Sequence, residues 1–275
     1  MPAGADHERE FLGLDPAVVV PLVACPISAA LWLWYETRVS NPVVDLATSL
    51  HRQVLLTNIA AVLAGFAMFT QNMLTPQLLQ ADENTGYGLG SSAFVTGLAL
   101  APAGFMMMVL SPAASRLSTR HGPKTTLLAG LVITAFGYAT AALMTPGVWQ
   151  LAVGAGVNGA GVGLAYSAMP TLVMNAVPES ETAAATGLNT LMRTIGTSSS
   201  SAVLAMLLTT VTIGTAAGAA PAESAFHLGF GMGAASALAA LFVAAFLRTG
   251  NRNDGGARIG AGLAERRIGT GLAER

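Results

Sequence analysis

Residues 115–126 read SRLSTRHGPKTT. They separate an uncharged run of 32 residues, 84–115, from another of 54, 125–178. Arg116, Arg120, His121 and Lys124 crowd into ten positions around the pair Gly122-Pro123. Basic residues gathered between long apolar runs mark the water boundary of a membrane protein on its cytoplasmic side. The runs on either side therefore have to be tested as membrane spans.

Composition supports that test. The chain has 275 residues, 53% hydrophobic and 10% charged, where a soluble domain carries about 25% charged residues. Mean hydropathy is +0.59. With 31 glycines and only 6% aromatics, the expected packing is close helix against close helix. Cys25 is the sole cysteine, which excludes an internal disulfide and a cysteine-built metal site. A net charge of −1 offers nothing to a nucleic acid. The acidic start, with Asp6, Glu8 and Glu10 beside Arg9, is not a secretory signal, which opens on basic residues.

A membrane helix needs about 20 apolar residues to cross about 30 Å of hydrocarbon. The uncharged runs give spans at 16–35, 53–81 (ending near Pro76) and 92–114. The run 125–178 is too long for one crossing, at about 80 Å as a single helix. Thr145-Pro146-Gly147 divides it into spans near 124–144 and 148–174. Two more follow at 186–212 and 226–247. The expected fold is an all-α membrane protein of about seven transmembrane helices. Seven crossings put 12 of the 13 Lys and Arg residues on one face and only Arg9 on the other, while the 14 acids divide equally. The basic face is then cytoplasmic, the N-terminus outside and the C-terminus inside. An outside N-terminus without a signal suggests a continuation of a preceding membrane half.

Ser115, Leu117, Thr119, Arg120, Gly122 and Lys124 stand at the fixed positions of the pattern G-x-L-x-D-R-x-G-x-R/K and match it at four of the six. This stretch resembles the loop signature of the major facilitator superfamily, in its fourteen-span drug:proton antiporter branch. The preceding GLALAPAGFMMMVLSPAASRL is similar to that branch, as are NPVVDLATSLHRQVLLTNIAAVLAGF at 41–66 and VPESETAAATGLNTLMRTIG at 177–196. The resemblance covers roughly residues 16–247. It implies an extracytoplasmic segment at 1–15, a linker helix at 16–35, a cytoplasmic connection at 36–52 and a six-helix C-terminal transporter bundle at 53–247. It also implies a partner N-terminal bundle and proton-coupled efflux of small amphipathic or cationic compounds across the cell (inner) membrane. Two positions depart from the signature: Ser115 replaces its glycine, and Thr119 replaces the acid that caps a helix.

The remaining polar groups are read against the bilayer. Gln71, Asn72, Tyr138, Asn158, Tyr166 and Asn189 lie in or near spans and are candidates for a substrate cavity or for interhelical hydrogen bonds. Arg193 is the one formal charge within a span, either a structural contact between helices or part of a pathway. Gly154-Ala155-Gly156-Val157-Asn158-Gly159 matches G-x-G-x-x-G, but lies inside a span, where glycines serve helix packing rather than a dinucleotide. No Asp or Glu stands inside spans two to seven, so a proton-carrying carboxylate has to come from elsewhere. His7, His51, His121 and His227 are scattered, and no catalytic grouping, metal cluster or cofactor is expected. The tail at 248–275 carries RIGAGLAER followed by RIGTGLAER, a short duplication in an expected disordered segment. An alternative reading is a split or truncated product acting as a non-transporting membrane subunit or scaffold.

Overall fold

The computed structural model describes residues 52–143, 147–215 and 218–247, with scattered helical positions between 20 and 35. Residues 1–45 and 46–275 form separate compact units. The second unit contains six long helices: α1 (Arg52–Gln80), α2 (Ala93–His121), α3 (Pro123–Leu143), α4 (Val148–Met174), α5 (Thr182–Thr210) and α6 (Glu223–Ala245). Five of them, α3 apart, combine a length of 23–29 residues with hydropathy high enough to cross a membrane. The N-terminal segment, the 36–51 connection, the Thr145-Pro146 break and the repeat-bearing tail lie outside the described residues.

Helices are the economical solution in lipid because each satisfies its own backbone polar groups. Prolines do not stop them here. Pro76 lies within α1, Pro102 and Pro112 within α2, and Pro170 within α4. This corrects the expected end of the first of these spans near Pro76: α1 runs on to Gln80. In a bundle, neighbouring helices and hydroxyls re-satisfy the carbonyl that a proline leaves without its donor.

The largest interfaces link the helices in the order α2–α4–α3–α6–α1–α5, and α1 also crosses α4. Glycines decide these approaches. A Cβ on Gly159 would overlap the backbone of Ala103, and one on Gly163 would press on Met107, so α4 seats directly on α2. Gly130 and Gly161 let α3 and α4 meet backbone to backbone. Gly65 lies on the Arg193 carbonyl and Gly196 on the Val62 carbonyl, joining α1 to α5. Gly229 and Gly233 receive Leu74 and Thr70 of α1, with Tyr138 of α3 also against Gly233.

The register of these contacts gives each helix its direction. Along α2 and α4, Ala103 meets Gly159 and Met107 meets Gly163, so both run the same way. Along α1 and α5, Asn58 meets Asn189 and Thr70 meets Ser200, again parallel. Between α3 and α4 the order reverses, with Gly130 by Ala165 and Gly137 by Asn158. It also reverses between α1 and α6, where Leu74 meets Gly229 and Leu63 accepts from Ser236. Helices an even number of crossings apart are parallel, and those an odd number apart are antiparallel. The six helices therefore cross alternately. One end collects Arg52, Arg116, Arg120 and Lys124. The other collects Asp82, Glu83 and Glu223 and, among the described residues, no Lys or Arg.

Two further features depart from the sequence-based expectation. Residues 115–121 are not a loop: α2 continues to His121, and Gly122 alone makes the reversal, at φ 85°, before Pro123 opens α3. Arg116, Leu117 and Arg120 are good helix formers, and at about 1.5 Å per residue a 29-residue helix outruns the hydrocarbon core. The helix carries its charges out of the bilayer before it ends. Second, the connection between α5 and α6 contains an antiparallel hairpin, β1 (Thr212–Thr215) against β2 (Gly218–Pro221), in the register Thr212↔Pro221 to Thr215↔Gly218. It is pinned by the Tyr87 hydroxyl, which donates to the Pro221 carbonyl. The Tyr87 ring packs against Phe226 at 5.5 Å.

The two outer glycines of the G-x-G-x-x-G match face different surroundings: Gly159 is against Ala103, whereas a Cβ on Gly154 meets nothing within 4 Å. Gly159→Val is expected to lower the melting temperature of the detergent-purified chain, with an overpacking cost of at least about 1–3 kcal/mol. Gly154→Val is expected to leave it near wild type. Equal sensitivity at both positions would contradict packing as the role of this motif.

Candidate functional site

Four of the six cavity candidates, Gln71, Tyr138, Asn158 and Asn189, are buried; Tyr166 is half-buried and Asn72 exposed. They divide into a sealed network, a separate amide pair and an open face.

The sealed network centres on Gln71 of α1. Its backbone N–H donates to the Tyr138 hydroxyl of α3 at 3.1 Å, and that hydroxyl donates to the Ala67 carbonyl. Ala67 and Gln71 stand four residues apart, as a helical N–H and its acceptor do. The tyrosine thus bridges one rung of α1 from outside. The Gln71 side chain donates from Nε2 to Thr75 Oγ1 at 2.7 Å and accepts from Asn158 Nδ2 of α4 at 2.9 Å. In this arrangement Gln71 Oε1 is the acceptor and Asn158 presents its nitrogen. Asn158 Oδ1 is left buried with no hydrogen-bond partner. Gln71 also reaches a cavity of about 250 Å³ between α1, α3, α4 and α6, whose outer walls include Phe136, Thr140, Trp149 and Val153. Phe136 and Trp149 are exposed at its mouth.

Asn189 of α5 donates to Asn58 Oδ1 of α1 at 3.0 Å, and both are buried. Asn189 is thereby an interhelical fastener away from the Gln71 network. Asn58 escaped the sequence reading although its signal, an amide inside an apolar span, was that of Asn189.

The open face joins three helices. The Arg193 guanidinium of α5 lies 4.4 Å from the ring centre of Tyr166 on α4. The Tyr166 hydroxyl reaches Met68 Sδ of α1 at 2.7 Å, and Asn72, one turn further along α1, donates to the Met68 carbonyl at 3.4 Å. Beside them α5 exposes Thr190, Thr194 and Ser198. Thr190 and Thr194 return their hydroxyls to carbonyls four residues back, which lowers the cost of a hydroxyl at membrane depth.

The signature residues sit apart, at the basic end. Ser115, Thr119 and Arg120 are exposed on the last turns of α2 and Leu117 is half-buried there. The Thr119 hydroxyl donates within its own turn, to the Arg116 carbonyl at 2.9 Å. Lys124 takes an unforeseen part: its Nζ donates to the carbonyls of Ala245 and Leu247 at 2.7 and 2.6 Å. A cation there caps the final carbonyls of α6 and answers their partial negative charge. Among the described residues no group of three His, Cys, Asp or Glu side chains could hold a metal.

The six long helices cross alternately, pack on glycine and leave one face open with polar side chains. The family model of the Major Facilitator Superfamily matches residues 57–270. The chain belongs to the Major Facilitator Superfamily. It is a multi-pass membrane protein of a transporter family, not an enzyme. Among curated proteins it is similar to the multidrug resistance protein Stp of Mycobacterium tuberculosis, 30% identical over 198 residues. That match covers 69% of this chain and 34% of the relative. The multidrug export protein EmrB of Escherichia coli is 26% identical over 195 residues, covering 68% of this chain and 36% of that protein. The lincomycin resistance protein LmrB of Bacillus subtilis is 27% identical over 119 residues, covering 43% and 24%. The matches to Stp and EmrB thus span about a third of the length of each relative.

The geometry separates the roles of individual groups. Tyr138→Phe removes the bridging hydroxyl, but the Gln71 N–H and the Ala67 carbonyl stand one helical rung apart and can serve each other, so the expected cost is about 1 kcal/mol or less. Tyr138→Ala also empties a fully buried ring site, with an expected cost of about 3–5 kcal/mol. Thermal unfolding in detergent measures both, and equal losses would refute the rung-bridging role. Asn189→Leu is expected to destabilise by about 1–3 kcal/mol through an orphaned Asn58 Oδ1. The double variant Asn58→Leu, Asn189→Leu should recover part of that loss, and strict additivity in the same assay would argue against the pair.

Proposed function

We propose that this chain is the C-terminal bundle of a proton-coupled efflux permease of the cell (inner) membrane. It supplies one wall of a central cavity and works with an N-terminal bundle. Its basic end faces the cytoplasm, following the rule that Lys and Arg stay inside. The substrates are small amphipathic or cationic compounds, in keeping with relatives whose names mark multidrug resistance, multidrug export and lincomycin resistance. Transporters of this kind rock one bundle against the other around a site at the membrane midplane.

The observation that carries this reading is the open face of Met68, Asn72, Tyr166 and Arg193. Lipid disfavours polar side chains on an exposed helix face, and such groups at membrane depth face a bundle interior or a water-filled cavity. Gln71, Tyr138 and Asn158 support this wall from behind by tying α1, α3 and α4 together. The loop-signature residues take the role of a cytoplasmic hinge, in which Lys124 ties the α2–α3 turn to the end of α6. Thr119 offers no charge, so electrostatic latching at that position is absent from this half.

Sequence supports division of labour between two halves. No acid lies between 84 and 178 or between 182 and 222, and a proton-driven pump needs a titratable group in the membrane. The proton-carrying carboxylate therefore belongs to the partner bundle. The same lack of an acid in these stretches favours a second reading, a membrane subunit or scaffold that transports nothing by itself.

Reconstitution tests both. In liposomes with an imposed pH gradient, the chain alone is expected to move no ethidium. Co-reconstitution with the N-terminal portion of Stp is expected to give uptake that collapses with the gradient. Gradient-driven transport by the chain alone would overturn the half-transporter reading, and no transport by the pair would favour the scaffold.

A further inference from the structure

Arg193 is unusual in its depth and its company. It lies 11 residues inside the first residue of α5, about 16 Å along the helix at 1.5 Å per residue. Its backbone is locked: the Arg193 carbonyl sits on Gly65 of α1, and Gly196, less than one turn further on, sits on Val62. Its side chain is half-buried and its guanidinium lies over Tyr166, 4.4 Å from the ring centre. The Tyr166 hydroxyl is itself engaged with Met68. The cation therefore cannot easily withdraw to the water boundary; its stem and its head are both held on the polar face.

Among the described residues Arg193 makes no ion pair, and the spans contain no acid that could form one. An aromatic face attracts a cation but carries no net charge, so Tyr166 orients the guanidinium without neutralising it. A guanidinium offers five donors in a planar fork matched to a carboxylate. At membrane depth the pairing of such a fork with an anion is stronger than in water. The same charge repels a cation placed beside it.

We propose that Arg193 and Tyr166 form an anion-binding site on the open face, and that its ligand is an amphipathic organic carboxylate. The carboxylate takes the guanidinium fork, while its apolar body lies along Met68 and the neighbouring face of α1. This rests on the reading of that face as a cavity wall, and it revises the substrate class given above: of the amphipathic and cationic compounds, this side of the cavity takes amphipathic anions and disfavours cations.

The test uses the full chain in nanodiscs of zwitterionic lipid, with two probes that differ in charge. 1-Pyrenebutyrate is the carboxylate, and a pyrenylbutyl trimethylammonium is the cation; empty nanodiscs correct for partition into lipid. The unaltered chain is expected to bind pyrenebutyrate saturably and the ammonium at least tenfold more weakly. Arg193→Gln is expected to weaken pyrenebutyrate at least tenfold, and Arg193→Lys, which keeps the charge but loses the planar fork and its stacking on Tyr166, is expected to fall between Arg193→Gln and the unaltered chain. Tyr166→Leu is expected to weaken it less than Arg193→Gln does, because the charge remains while its platform is lost. Saturable binding of the ammonium with none of the carboxylate would overturn the anion site and leave the cavity wall standing. Saturable binding of neither probe would overturn both. Unchanged carboxylate affinity in Arg193→Gln, with its melting temperature intact, would also overturn the site. The comparison of probes on the unaltered chain remains decisive if a variant fails to fold.

Discussion

In lipid the hydrophobic effect does little to press one helix against another, since the tails are as apolar as the side chains. This bundle depends instead on backbones coming close enough for van der Waals contact, and glycine is what permits that. Gly159 on Ala103, Gly65 on Arg193, Gly196 on Val62 and the meeting of Gly130 with Gly161 are contacts into which a Cβ would not fit. They occur along three of the largest interfaces. Each also fixes register, because a glycine matched to one position of its neighbour is mismatched one turn away. The alternating direction of the helices, and the gathering of charge at one end, follow from these registers.

Polar groups then hold what glycine brings together. The Tyr138 hydroxyl bridges a rung of α1, and Gln71 links that rung to Asn158 on α4. The Asn58–Asn189 pair and the Thr70–Ser200 contact do the same between α1 and α5. Such bonds add modestly to affinity between membrane helices, typically under about 2 kcal/mol each. Their larger effect is exclusion, since a slipped register would strand amides in hydrocarbon. The unpartnered Asn158 Oδ1 marks where that accounting is incomplete, beside the cavity that Gln71 reaches.

The basic stretch at 115–126 has two physical jobs that share residues. Arg116 and Arg120 carry α2 out of the bilayer, and Lys124 caps α6 from the start of α3. The reversal needs a single residue, Gly122, because its positive φ turns the chain at once and Pro123 is already shaped for the next helix. A turn this short holds α2 and α3 in a fixed angle at the basic end, while the open face lies deeper in the bundle.

Much of the architecture was legible in the residues alone. Uncharged runs of suitable length between polar breaks predict helices, because water and hydrocarbon sort side chains by polarity before any packing occurs. Gly122-Pro123 predicted its turn from local dihedral preferences. The ends were less legible: α2 overran its expected limit, since helix-forming charged residues continue a helix past the membrane surface, and α1 overran Pro76, since a bundle tolerates a proline that an isolated helix does not. The 212–221 hairpin was missed because its pairing is cross-strand and its signal only a few residues long. At the site, the sequence marked Gln71, Asn158, Asn189, Tyr166 and Arg193 as polar groups in lipid but could not sort them. Burial of Gln71 and Asn158 in one network, pairing of Asn189 with Asn58, and placement of Arg193 over Tyr166 depend on contacts between residues 27 to 131 positions apart. Composition and the lengths of the uncharged runs thus determined that this chain forms membrane helices and where its charges must stay. Only tertiary structure decided which polar groups are sealed between helices and which remain on an open face, because that choice is made by the register of one helix on another.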